Sequence, residues 1–200
     1  MTKDQLLQHK DDMENLAGAV CAAELPQLID WLKEKDDTLR YTAFLLLQAL
    51  SARDARVYAF WPVFAGMLKD ENSYQRSLGV MLIAANIPWD RDGHFRDACQ
   101  DYLRCCGDEK FITSRQAIQG LQKIVDATEA YREDIIKALT AIQLAGRKDS
   151  QKGLLLLDIA EVLTALYKRM PDARIEAYLR QNLSQGNDKA KKLIQKILAG

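Results

Sequence analysis

The chain echoes itself. Sliding it by 36 residues lays LPQLIDWLKEKDDTLRYTAFLLL (25–47) on WPVFAGMLKDENSYQRSLGVMLI (61–83). Pro26 falls on Pro62, Leu28 on Phe64, Leu32 on Leu68 and Lys33 on Lys69. Arg40 then falls on Arg76, Ala43 on Gly79, and Leu46 and Leu47 on Leu82 and Ile83. Glycine (10) and proline (4) are scarce and strand alternation is weak, so a period of this length implies stacked helical units. A unit this small cannot bury its apolar face alone, and neighbours must share one interior. The period continues more loosely: Arg40, Arg76, Arg115, Lys152 and Lys189 stand 36, 39, 37 and 37 residues apart. Each follows an acidic or polar turn (KDD, KDENS, GDEK, KDS, GND). Such turns supply helix N-caps, and their carboxylates suit the positive end of the helix dipole.

Each period divides into two helices. Val57, Phe60, Trp61, Phe64 and Leu68 form one apolar stripe at helical spacing. Residues 73–86 are apolar nearly all round, so that helix must be covered on several sides, as the second helix of a stacked pair is. The runs Leu45–Leu47 and Leu154–Leu157 carry the same expectation, and Ala43 and Gly79 are small where neighbouring helices would approach. The predicted map has eleven helices: a lead helix over 3–20, then pairs at 24–35 with 37–51, 54–69 with 72–86, 91–106 with 109–126, 128–145 with 149–169, and 172–184 with 187–199. The expected fold is all-α, a right-handed α-α solenoid of about five helix pairs plus the lead helix, in a single domain over 1–200.

The segment LPQLIDWLKEKDDTLRYTAFLLLQAL resembles a HEAT repeat of the HEAT/armadillo α-solenoid class. That family has a proline in the first helix, an Asp in the turn, and a basic residue ahead of a small one in the second helix. The matching residues are Pro26, Asp36, Arg40 and Ala43, then Pro62, Asp70, Arg76 and Gly79. The likeness is strong over 24–89 and fair over 90–145, where Asp108 and Arg115 fit without a proline. It is weak over 146–200, where Lys152 replaces the arginine. The stretch FWPVFAGMLKDENSYQRSLGVMLIAANIPWD is also similar, more faintly, to small bacterial HEAT-like proteins labelled as SufBD-type iron–sulfur assembly proteins. The class implies adaptors, bilin lyases or DNA alkylation-repair glycosylases, so fold alone does not select the activity.

Composition narrows the field. No apolar run approaches the roughly 18 residues of a membrane span, and the N-terminus lacks a signal-like apolar region, so a cytoplasmic location is expected. Net charge is zero, without the basic footprint of a dedicated nucleic-acid binder. By successive fifty-residue blocks the charge runs −4, 0, 0 and +4. Cys21, Cys99, Cys105 and Cys106 show no CxxC spacing. Phe95, Cys99, Tyr102, Leu103 and Cys106 share one stripe, which reads as core, while Cys105 falls off it and can face solvent. His9 and His94 stand at no telling offset from a nucleophile, ligand or carboxylate, and no glycine-rich phosphate loop occurs. No cofactor or metal is expected.

Two readings of the basic ladder Arg40, Arg76, Arg115 and Lys152 stand side by side. It is either a row of donors along an inner groove or a device that bonds turn groups and recurs because stacking recurs. The expected function is a non-enzymatic scaffold or adaptor that holds a segment of a protein partner in a concave groove. The groove candidates are Arg40, Gln48, Arg76, Asn86, Trp89, Arg115, Gln119, Gln122 and Lys152. The alternative is a glycosylase-type nucleic-acid binder with Trp89 as a groove aromatic beside Asp90. The lysines 189, 191, 192 and 196 suggest a solvated capping helix, or head-to-tail association with the acidic start of a second copy.

Overall fold

The computed structural model describes residues 1–9 and 11–199. Over these the chain forms twelve α-helices, short 3-10 turns and no strand. It divides into two compact units, Met1–Ala98 and Cys99–Gly200.

The first unit holds α1 (Lys3–Gln8), α2 (Met13–Ala19), α3 (Leu25–Trp31), α4 (Asp37–Arg53), α5 (Trp61–Met67), α6 (Ser73–Asn86) and the start of α7 (His94–Cys106). The lead helix predicted over 3–20 is two helices, and Lys10 within that span lies outside the described residues. Residues 8–12 offer no apolar side chain to hold a continuous helix, and Asp12 opens a new N-terminus, accepting a bond from Asn15 Nδ2 at 2.8 Å. The predicted helices 24–35 and 54–69 also contract. Each is a 3-10 turn followed by a seven-residue α-helix with proline in its first turn, because proline has no N–H to continue a ladder begun earlier.

The 36-residue echo holds bond for bond here. Leu32 N donates to Ile29 O and Leu68 N to Ala65 O; Lys33 N donates to Asp30 O and Lys69 N to Gly66 O. Asp36 caps α4 through its side chain and Asn72 caps α6. Arg40 Nη1 donates to Glu34 O at 2.7 Å, and Arg76 Nη1 to Asp70 O at 2.8 Å. The two hairpins are one design used twice. Helix α4 packs against α1, α2, α3 and α6, so it is covered on several sides. Helix α6 buries Ser77–Val80 and Leu82–Asn86 against α4 and α5. Gly79 sits where the end of α5 comes closest: an added Cβ would lie 2.9 Å from Met67 Cβ and 3.1 Å from Phe64 O.

The second unit holds the rest of α7, α8 (Phe111–Ala127), α9 (Arg132–Thr140), α10 (Asp149–Arg169), α11 (Ala173–Asn182) and α12 (Asp188–Leu198). Helix α10 is central, packing against α8, α9, α11 and α12. Side chains seal helix ends between neighbouring hairpins. Tyr178 Oη donates to Ile142 O at 3.0 Å, and buried Arg132 donates to Leu166 O at 2.7 Å and Met170 O at 2.6 Å. Gly153 lets the N-terminus of α12 approach, since a Cβ there would stand 2.9 Å from Asn187 N. Helix α9 is shorter than the predicted 128–145. Thr128 is extended, and its hydroxyl accepts from Ala130 N at 3.2 Å, a local turn that delays the helix start.

Candidate binding surface

The basic ladder is largely occupied within the protein. Arg40 bonds Glu34 O and the Asp37 carboxylate, and its guanidinium lies over the Tyr74 ring, 4.2 Å from the centroid. Arg76 bonds Asp70 O and Glu71 O, the carbonyls of its own turn. Lys152 pairs with exposed Asp149 at 2.8 Å. In the third hairpin the pattern changes. The turn carbonyls of Asp108 and Glu109 accept bonds from Arg147, and Arg115 turns instead to Asp158 on α10.

Asn86 and Trp89 are also packing residues. Asn86 is fully buried, donating to Ser51 Oγ at 3.0 Å and Leu82 O at 2.9 Å, and offers a ligand no surface. Trp89 is half-buried with its indole N–H on Ser51 O at 2.7 Å, while Trp61 is core. Asp90 caps α7, accepting from His94 N at 2.8 Å and Phe95 N at 2.9 Å, and takes the Tyr58 hydroxyl at 2.8 Å. Burial and this carboxylate push the Tyr58 phenol well above its ordinary range. Gln48 is half-buried on α4, and Gln122 donates to Asp126 on its own helix at 3.0 Å.

Two of the nine candidates are brought together. Asp158, only 4% exposed, accepts from Arg115 Nε at 2.5 Å, Arg115 Nη2 at 3.0 Å and Gln119 Nε2 at 3.0 Å. This bidentate pair joins α8 to α10 and has both carboxylate oxygens occupied. Glu161, less than a turn further along α10, is exposed; burial of its surroundings and then the Asp158 charge raise its pKa, opposed by Arg115 and by Lys189 of α12.

Leu154 and Ile112 are exposed apolar side chains that no motif or period in the sequence marks. Leu155 and Leu156 are buried as expected, but Leu154 is 38% exposed and Leu157 half-buried. Ile112 is 59% exposed. Ile112, Arg115 and Gln119 fall at i, i+3 and i+7 on α8; Leu154, Asp158 and Glu161 fall at i, i+4 and i+7 on α10. The Arg115–Asp158–Gln119 bonds lock these two stripes into one face. It carries two large apolar side chains, a neutralised centre and an outer margin of Gln119, Glu161 and Lys189. An exposed leucine in the middle of a leucine run gives no sequence signal, because run and periodicity look the same whichever member faces out.

A cleft of about 600 Å³ lies elsewhere in the second unit, between α7 and α9, and none of the nine candidates lines it. Cys99, Cys105 and Cys106 are buried and Cys21 is exposed. Cys105 falls off the apolar stripe of α7, yet it does not face solvent: the buried arc of that helix is wider than one stripe and includes it. Burial pushes the Cys99 thiol up to about 11. Lys189, Lys192 and Lys196 are exposed on α12 and Lys191 is half-buried. Among the described residues no group of three or more His, Cys, Asp or Glu is placed to hold a metal ion, and no helix is long and apolar enough to cross a membrane.

No protein-family model matches the sequence, and no curated protein matches it. The crystal structure of an engineered protein, a Northeast Structural Genomics Consortium target, is similar: the match covers 100% of this chain and 91% of that one, with a TM-score of 0.55 and 16% identity. At that identity the likeness concerns the all-helical fold alone.

Proposed function

We propose that each unit is a short stack of hairpins of the HEAT-like, right-handed α-solenoid class, and that the protein is a non-enzymatic adaptor. It takes a segment of a protein partner on the face shared by α8, α10 and α12. The observation that carries this reading is the exposure of Ile112 and Leu154 beside an ion pair that is already satisfied. Recognition of a protein segment needs apolar anchors that leave water on binding, surrounded by polar groups that set register. Ile112 and Leu154 supply the anchors; Gln119, Glu161 and Lys189 supply hydrogen bonds and charges of both signs. The ladder residues act as the framework, not as ligand handles.

The test is a peptide library displayed on phage and selected on the immobilised chain, with affinities of the winning peptides measured by fluorescence anisotropy. Burying one such side chain contributes about 1.5–3 kcal/mol, so Ile112→Glu and Leu154→Glu should each weaken binding about tenfold or more. Lys137→Glu, on α9, should leave it unchanged. A gel shift with duplex DNA at low salt should give no complex. Peptides indifferent to both glutamate variants, or a salt-dependent DNA complex, would overturn the adaptor reading.

A further inference from the structure

We propose that the cleft between α7 and α9 binds a small organic anion, with its charged head between Lys137 and Arg147 and its apolar body on Leu103 and Ile142. This site shares no residue with the face described above and does not depend on it. Its volume of about 600 Å³ suits a small ligand, a class whose pockets run from about 300 to 1,000 Å³. Leu103 and Ile142, 7% and 8% exposed, form an apolar floor together with Ala138 and Ala141.

The charges of the lining do not cancel. Asp134 is the one carboxylate among the lining residues, against Arg104, Lys137 and Arg147. Arg104 pairs with Asp101 at 2.7 Å. Lys137 is exposed and its ammonium has no hydrogen-bond or ion-pair partner among the described residues. Arg147 is the fixed element. Its two Nη groups donate to Glu109 O at 2.7 Å and Asp108 O at 2.5 Å, so the turn after α7 holds the guanidinium in place. These partners are neutral carbonyls, and the positive charge is held rigid without being neutralised. Asp134 stands one turn before Lys137 on α9, and its charge adds to burial in raising the pKa of the Cys99 thiol; against it the lining still carries an excess of positive charge. A fixed cation, an exposed lysine without a partner among the described residues and an apolar floor match a ligand that is anionic at one end and apolar along its body.

The test titrates the ¹⁵N-labelled chain with octanoate and with octanol, reading backbone amide shifts. Octanoate should give saturable shifts centred on Leu103, Ala138, Ala141 and Ile142. Octanol, with the same body and no charge, should bind about tenfold more weakly, the difference expected for charge-assisted hydrogen bonding. Lys137→Glu, an exposed substitution that leaves the packing alone, should weaken octanoate about tenfold and leave octanol unchanged. Arg147→Lys, which keeps the charge but not the two-carbonyl anchor, should give an intermediate loss. Octanoate and octanol binding equally, shifts centred outside the cleft, or no saturable binding of octanoate would each overturn the proposal.

Discussion

Replacing Gly79 with alanine sets two effects of known sign against each other. Within a helix, glycine to alanine ordinarily stabilises by about 1 kcal/mol, because glycine loses more backbone freedom on folding. At Gly79 the new methyl would stand 2.9 Å from Met67 Cβ, 3.1 Å from Phe64 O and 3.4 Å from Leu68 N. Two of these are backbone atoms and the third is bonded to the backbone, so none can swing aside as a side-chain tip does. Relief requires the end of α5 to retreat, and α5 carries Trp61 and Phe64, 3% and 0% exposed, into the core. Overpacking of this kind costs about 1–3 kcal/mol. The steric effect wins, and Gly79→Ala should destabilise by about 1 kcal/mol once the helical gain is deducted. Gly66 is the internal control: it lies on α5 with nothing within 4 Å of an added Cβ, and Gly66→Ala should stabilise by about 0.5–1 kcal/mol. Trp31, Trp61 and Trp89 all lie in the first unit, so urea unfolding followed by tryptophan fluorescence reports on that unit. A Gly79→Ala protein at least as stable as Gly66→Ala would refute close packing of the second hairpin.

Arg115→Ala strands the 4%-exposed Asp158 with Gln119 as its remaining donor, and should destabilise by about 3 kcal/mol, read in the denaturant midpoint by circular dichroism. The Arg115→Met, Asp158→Leu double variant should recover most of that loss, since it removes both charges together. Asp172 caps α11 and is held at about 2, chiefly by its hydrogen bonds with the Arg174 side chain, against an ordinary 3.8. A carboxylate whose folded pKa is depressed stabilises above the unfolded value and loses that contribution as pH falls through the folded one. Asp172→Asn should therefore flatten the fall of stability between pH 4 and 2 in acid titrations followed by circular dichroism. With a chromogenic disulfide reagent, Cys21 should react at once in the native protein, and Cys99, Cys105 and Cys106 only on denaturation.

The architecture of the first unit was legible because proline, turn acid, arginine and small residue recur in register, and each has a local cause that the chain repeats. Pro26 and Pro62 open their helices, Asp36 and Asn72 cap the next, and Arg40 and Arg76 reach the same turn carbonyl. The first helices are shorter than their apolar periodicity suggests, since the period continues through a 3-10 turn that proline separates from the α-helix. The binding face was less legible. Arg115 occupies the ladder position but pairs with a carboxylate 43 residues away, a partner that only the packing of α8 on α10 reveals. Asn86 lies in a helix apolar all round, where a polar side chain faces either a groove or a buried hydroxyl; Ser51 decides it. The α7–α9 cleft left no motif because its charges come from three separate chain segments.

The binding face is tested most directly by titrating the ¹⁵N-labelled chain with a selected peptide and mapping the backbone amide shifts. The expected map gathers on α8 and α10 around Ile112, Gln119, Leu154 and Glu161. A map gathered on Arg40 and Arg76, or in the α7–α9 cleft, would contradict the adaptor face.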